Sequence, residues 1–393
     1  MNLKVISGLF TLVLLMIIGC VSEFNAVLPS SDVQILFVDG NIVENSDMTF
    51  YISKSFPINS IGIPQESLDI NANIKIIGSN GYESPSAVNL GKGTYMISSI
   101  GELDDNVEYG LKIEYDGDVF QSTLSKPLHT PEIDSVSWIQ PDNNSDVYFR
   151  VSTHDETGQA RFFIWNYVED WELTSSYYTT VFYEPVRNEY YTIDPAPYYY
   201  CWKNHSSDKY LIGATESLSE NKIINKKLYN RKVDNDRFCL LYSVIVYQKA
   251  ISKSAFEYYQ NKIVVNDEMG GLFTPQPSEL TGNIICITDP SRKVMGYIEP
   301  VKNITHKRIF INSSDVTGPR FFNCEIFDLV TVAAYLNERE LTYPQYYYSG
   351  FRPAGSLDTI TGFPHVWTTD RCTDCVINGG SKNKPEFWPN QHE

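Results

Sequence analysis

Basic charge is scarce in this chain: 31 lysines and arginines stand against 48 aspartates and glutamates, a formal net charge of -17 at pH 7. Such a surface repels phosphate backbones and anionic lipid head groups, so nucleic acid is not an expected partner. Local catalytic signatures are missing too. No G-x-S-x-G elbow, P-loop or G-x-G-x-x-G run occurs, which leaves hydrolase, nucleotide and dinucleotide chemistry without local support. The six histidines, His129, His154, His205, His306, His365 and His392, are scattered and never take H-E-x-x-H spacing. One C-x-x-C is present, Cys372 to Cys375, with no second pair to complete a four-ligand zinc site. Asp142-Asn143-Asn144-Ser145-Asp146 alternates oxygen ligands as calcium loops do, but Val147 stands where glycine is needed and Thr153 where a bidentate glutamate belongs. It reads as a polar turn. No catalytic residue, metal ligand or cofactor is therefore expected. The absence of a fixed-period repeat argues against solenoids and propellers.

The long apolar run is Val5 to Ile18, short for a comfortable membrane span. Lys4 precedes it and Ile17-Ile18-Gly19-Cys20 closes it. That tetrapeptide resembles the bacterial lipobox, which implies cleavage before Cys20 and acylation of that residue. The expected plan is a signal peptide over 1–19 and a lipidated tether over 20–31, holding the protein to a lipid bilayer. Each buried methylene contributes about 0.8 kcal/mol, so several acyl chains anchor it firmly.

Outside the cytoplasm the other six cysteines can pair. Cys239 and Cys286 sit in apolar, strand-like runs and read as buried thiols. Cys201, Cys324, Cys372 and Cys375 lie in polar or turn-rich sequence and are the disulfide candidates. A bridge within the C-x-x-C constrains the unfolded chain by about 2 kcal/mol, while a link back to Cys201 is worth about 5 in the same entropy model. Bridges from the C-terminal pair to Cys201 and Cys324 are favoured, with the connectivity open. A redox role is disfavoured because Val376-Ile377-Asn378-Gly379-Gly380 makes a poor helix start.

A β pattern starts after the tether. Val33, Ile35 and Phe37 share one parity, and Asp39-Gly40 reads as a turn. Phe50 to Ser53 and Ile74 to Ile77 follow, with a hairpin turn at Asn80-Gly81. Val107, Tyr109, Leu111, Ile113 and Tyr115 alternate with polar residues and glycine up to Asp116-Gly117, and Val119 to Leu124 returns. Many short strands over about a hundred residues predict an immunoglobulin-like β-sandwich over 32–125. Lys126-Pro127-Leu128-His129-Thr130-Pro131 marks a linker, 126–132, before a larger β-rich domain, 133–393. There the spacing of Ala255, Tyr258, Tyr259 and Ile263 predicts one covering helix, with Ser252 or Ser254 as N-cap and Glu257 completing a capping box for the latter.

The larger domain is rich in aromatics. Tyrosine joins apolar area to a polar tip, which suits contact surfaces, yet aromatics are also ordinary strand residues. Trp165 and Trp171 read as core. Tyr198, Tyr199, Tyr200 and Tyr346, Tyr347, Tyr348 are the ligand-contact candidates, since consecutive residues on a strand point to both faces.

Several motifs together resemble the bacterial lipoprotein family called domain of unknown function 4249. They are Leu36-Phe37-Val38-Asp39-Gly40 after the lipobox, Tyr242-Ser243-Val244-Ile245-Val246-Tyr247-Gln248, the helix with Phe256, Tyr258 and Tyr259, and Gly271-Leu272-Phe273-Thr274-Pro275-Gln276-Pro277. Gly282-Asn283-Ile284, Val294-Met295-Gly296-Tyr297, the C-x-x-C with Gly379-Gly380, and Lys384-Pro385-Glu386-Phe387-Trp388 complete the set. Val376 stands where the family pattern leads one to expect a basic residue. The resemblance implies an outer-membrane location, facing the cell surface or the periplasm, with the surface favoured by Glu23 close behind Cys20. It also implies a TonB-dependent outer-membrane receptor as partner, with substrate capture or delivery, or control of access to the barrel, as the job. The alternatives are a structural or adhesive surface protein and a surface hydrolase acting on glycans, whose two acids need not be close in sequence.

Overall fold

The computed structural model describes residues 35–56, 63–68, 70–234, 236–268, 282–318, 324–328, 343–355 and 366–389. Cys20 with the lipobox and tether, and the motif Gly271 to Pro277, lie outside the described residues. The fold is mainly β.

Alternation builds the first unit. In Tyr109–Tyr115, Leu111 and Ile113 are buried while Lys112 and Glu114 face outward. Asp116 and Gly117, both at positive φ, turn the chain into Asp118–Ser122. These strands lie in a four-stranded sheet with Asn73–Gly78 and Ile284–Cys286. A five-stranded sheet runs in the order Val294–Met295, Leu36–Gly40, Met48–Lys54, Thr94–Ile97, Val88–Gly91. Residues of both sheets share one apolar cluster, with Phe50 and Tyr95 from the second and Ile76, Leu111 and Phe120 from the first.

Two details of the opening strand differ from the sequence expectation. Leu36 and Val38 point inward and Phe37 outward, so the buried parity is the other one. Asp39-Gly40 bends the strand instead of reversing it, and the reversal falls at Glu44–Ser46, where Asn45 has φ 53°. Gly40 is needed at the bend: a Cβ there would lie 2.4 Å from Phe50 Cδ1 and 2.9 Å from the Thr49 carbonyl oxygen.

The outer strand at one edge of each sheet comes from far downstream. Leu36 pairs in parallel with Val294, and Ser122 pairs antiparallel with Ile284. The unit read over 32–125 is thus completed by residues 284–295. Family motifs make this return possible. Asn283 bridges the backbone of Ile298 in both directions, at 2.7 and 2.9 Å. Gly296 lets the returning backbone close on Val38, whose carbonyl oxygen would sit 2.3 Å from any Cβ.

The second unit centres on the strand Phe162–Thr174, buried along nearly all its length. It pairs with Leu241–Ile251 on one side and with Tyr200–Ser206 and Leu211–Ala214 on the other; Thr305–Asn312 extends the sheet beyond Leu241–Ile251. Its inner face packs on a three-stranded sheet of Ile133–Ile139, Val147–His154 and Lys222–Arg231. Phe163, Trp165, Trp171, Phe149 and Val246 fill that core, which confirms both tryptophans as packing residues. Gln248 satisfies the interior by accepting from Trp165 Nε1 at 2.8 Å and donating to the Pro131 carbonyl and Thr153 Oγ1.

The covering helix, Lys253–Glu268, lies on the outer face. Ala255, Tyr258 and Tyr259 pack on Phe162, Ile164 and Ile251, while Ile263 stays half-exposed. Ser252 is the N-cap, its hydroxyl accepting from the Ala255 amide at 3.0 Å. The linker is not a free tether. Leu128 exchanges backbone hydrogen bonds with Pro300 and Lys302, and Thr130 does so with Asn303 through side chains.

Candidate functional site

A cleft of about 240 Å³ opens where the two units meet. Its floor follows from register on the outer face of the central sheet. Ile164 pairs with Lys249 and Asn166 with Tyr247, so these four side chains share one face. The bend at Gly40 brings Asp39 and Asn41 over that face, and Tyr210, Tyr259 and Ile304 complete the walls.

Lys249 is the chemically distinctive group. Its Nζ donates to Asn41 Oδ1, which joins the two units through one hydrogen bond. Burial pushes the amine below the usual lysine range, against the opposing pull of Glu299 and Asp39. Behind it, burial raises the Glu299 carboxyl above its usual range although the Ser252 amide donates to Oε2 at 3.2 Å. Tyr259 is likewise raised well above an ordinary phenol by burial, with the Asp39 charge adding to the effect. Lys262 on the helix donates to Tyr210 Oη at 2.7 Å. Burial works against its charge, but that hydrogen bond and the neighbouring phenols outweigh it and its pKa rises. An ammonium has three donors, and one acceptor holds Lys249. The arrangement offers hydrogen bonds, a cation and aromatic walls to a small solute.

The tyrosine candidates fall elsewhere. Tyr198, Tyr199 and Tyr200 are all half-buried, entering the strand Tyr200–Ser206 beside the Cys201 bridge. Tyr346, Tyr347 and Tyr348 end a short helix, Tyr343–Tyr348, so their exposure follows helical geometry and not strand alternation. Tyr346 packs on Trp367, Arg352 covers Tyr347 at 3.8 Å, and Tyr348 is 71% exposed. The hairpin of Val181–Glu184 and Glu189–Thr192 bridges the clusters, Phe182 meeting Tyr198 at 5.8 Å and Tyr183 meeting Tyr347 at 6.0 Å. The two clusters thus join one aromatic lobe, and neither lines the cleft.

Disulfides join Cys201 to Cys375 and Cys324 to Cys372, the C-terminal pair reaching back as favoured. Cys286 is a buried free thiol in a strand; Cys239 is free but half-buried, in a turn preceding Leu241, because polar Asp234 and Asp236 shape that corner. The Asp142 to Asp146 run is a turn between strands, Ser145 donating from its amide to the Asp142 carbonyl. The closing motif clamps the outer face: Phe387 lies 3.5 Å from the Arg308 guanidinium, and buried Trp388 meets Phe310.

Sequence reasoning passed over Asn41, Tyr210 and Lys249. A signal existed for the last, since Gln248-Lys249 is a polar pair inside the otherwise buried run Leu241–Ile251. Nothing local marks Asn41, whose role depends on a partner 208 positions away.

Fold and site together define a two-unit β protein with a polar, tyrosine-walled cleft at the junction. The family described as domain of unknown function (DUF4249) matches residues 21–306, and the chain belongs to that family. No curated protein gives a significant match.

Proposed function

We propose that this protein is an outer-membrane lipoprotein, anchored through Cys20, that captures or delivers a small molecule for a TonB-dependent receptor. The observation that carries the binding part is the cleft itself, built by Asn41, Asn166, Tyr210 and Lys249 from chain segments far apart in sequence. Paired backbone at Leu128 and Pro300 fixes the two units that form its walls, which suits a preformed binding site. Two disulfides fit an oxidising compartment. The receptor partnership rests on the family resemblance.

Affinity purification of the tagged protein from native outer membranes, with mass spectrometry of what copurifies, tests this reading. Recovery of one stoichiometric TonB-dependent receptor is the expected result. Recovery of no membrane protein, under conditions that preserve known complexes, overturns the partnership and favours a structural or adhesive role.

A further inference from the structure

The charge around the cleft is balanced, unlike that of the whole chain. On a protein of net charge -17, two ammonium groups are drawn to the cleft, Lys249 within it and Lys262 on the hydroxyl of its wall residue Tyr210. The acids are disposed differently. Asp39 is exposed at the cleft, where water screens it, and Glu299 is buried and accepts from the Ser252 amide. Lys249 has Asn41, a neutral amide, as its hydrogen-bond acceptor and takes part in no ion pair among the described residues. A half-buried ammonium that feels Glu299 and Asp39 but has no carboxylate within ion-pair distance still carries a desolvation cost, and a ligand that supplies a contacting carboxylate offsets it on binding.

From this geometry we infer that the cleft binds a compact carboxylate with a flat body, its carboxylate accepting from Lys249 Nζ and its body lying among Tyr210, Tyr247 and Tyr259. The inference rests on the capture reading and names its ligand class. Size limits the ligand. At about 240 Å³ the cleft is smaller than drug-sized pockets of roughly 300–1,000 Å³, which suits a compact molecule. Binding also has a proton signature. Burial holds the free amine below the usual lysine range, with Asp39 and Glu299 opposing. A bound anion raises it again, so binding takes up protons at alkaline pH and weakens as pH rises through the free amine's titration.

The test is calorimetric titration of the full chain in detergent with three probes of one shape: benzoate, benzamide and benzylamine. Benzoate is expected to bind at least about tenfold more tightly than either of the others. Two variants locate the effect. Lys249→Gln removes the cation, and Asn41→Asp gives Lys249 an internal carboxylate that competes with the ligand; both are expected to lose benzoate binding by at least about tenfold. Asn41→Asp is nearly isosteric, and near-ultraviolet circular dichroism establishes that it is folded. Absence of benzoate binding, equal binding of benzamide, or unchanged benzoate binding in folded Asn41→Asp overturns the inference. If benzamide or benzylamine binds in the cleft and Lys249→Gln is indifferent, capture stands and the ligand class falls. If benzoate binds as expected but no receptor copurifies, the partnership alone falls.

Discussion

The indole N–H of Trp388 donates to Glu172 Oε2 at 3.2 Å, linking residues 216 positions apart on the outer face of the central sheet. Beside it, Arg308 joins Asp170 at 3.1 Å and Ser243 at 2.8 Å beneath the Phe387 ring. The C-terminal motif is thus a lid on the buried acids Asp170 and Glu172, while Phe310 at its rim stays exposed. Trp388→Ala is expected to destabilise the protein by about 3 kcal/mol, read as a lower urea midpoint with an unchanged slope.

The bridges should differ in weight. Cys201–Cys375 spans 174 residues and Cys324–Cys372 spans 48. The loop-entropy model gives about 5 kcal/mol for the first and about 4 for the second. The double variant Cys201→Ser, Cys375→Ser should therefore unfold at lower urea than Cys324→Ser, Cys372→Ser. Peptide mapping without reductant should recover these two pairs.

Glu169 is fully buried on the inner face and is held by Arg231 at 2.7 Å and Tyr242 at 2.5 Å, with His205 at 3.1 Å. Removing its charge leaves Arg231 facing an apolar core without its counter-ion. Glu169→Gln should cost about 3–5 kcal/mol, measured by chemical denaturation.

Asp155 provides an acid-side signature. Burial pushes its carboxyl up, but donors at Ala160 (2.7 Å) and Thr157 (3.0 Å) outweigh burial and hold it below its ordinary 3.8. A carboxylate depressed in the fold contributes stability that is present above its unfolded pKa and lost as pH falls through the folded one. Asp155→Ala should cost about 2 kcal/mol at neutral pH, and the gap to the parent should close in strong acid.

Lys249 predicts the opposite limb. An amine depressed by folding costs stability while it stays protonated, and that cost fades as pH rises from the folded pKa to the unfolded 10.5. Lys249→Met should match or exceed the parent's urea midpoint at neutral pH and lack its alkaline rise.

Legibility followed the range of the interaction. Tyr109–Tyr115 and its hairpin were readable because alternation and a positive-φ turn are local, and so was the covering helix, whose cap and stripe fall within one segment. The buried parity of the opening strand is not legible because Ile35 and Phe37 are as apolar as Leu36 and Val38, and only the facing sheet selects between them. Cysteine surroundings separated bridged from free thiols, but Cys239 lies in a corner that tertiary contacts make. The cleft was not legible. Asn41 and Lys249 meet only because Gly40 bends one strand over a sheet from the other half of the chain.

The pairing of Leu128 with Pro300 and Lys302 means that two of the chain's three crossings between its halves run side by side. One passage alone would act as a swivel. Two hydrogen-bonded passages resist torsion, so the angle between the halves, and with it the cleft's aperture, is held by backbone and does not depend on a ligand to set it. A protease that cut one passage would leave the halves joined through the other, still in register.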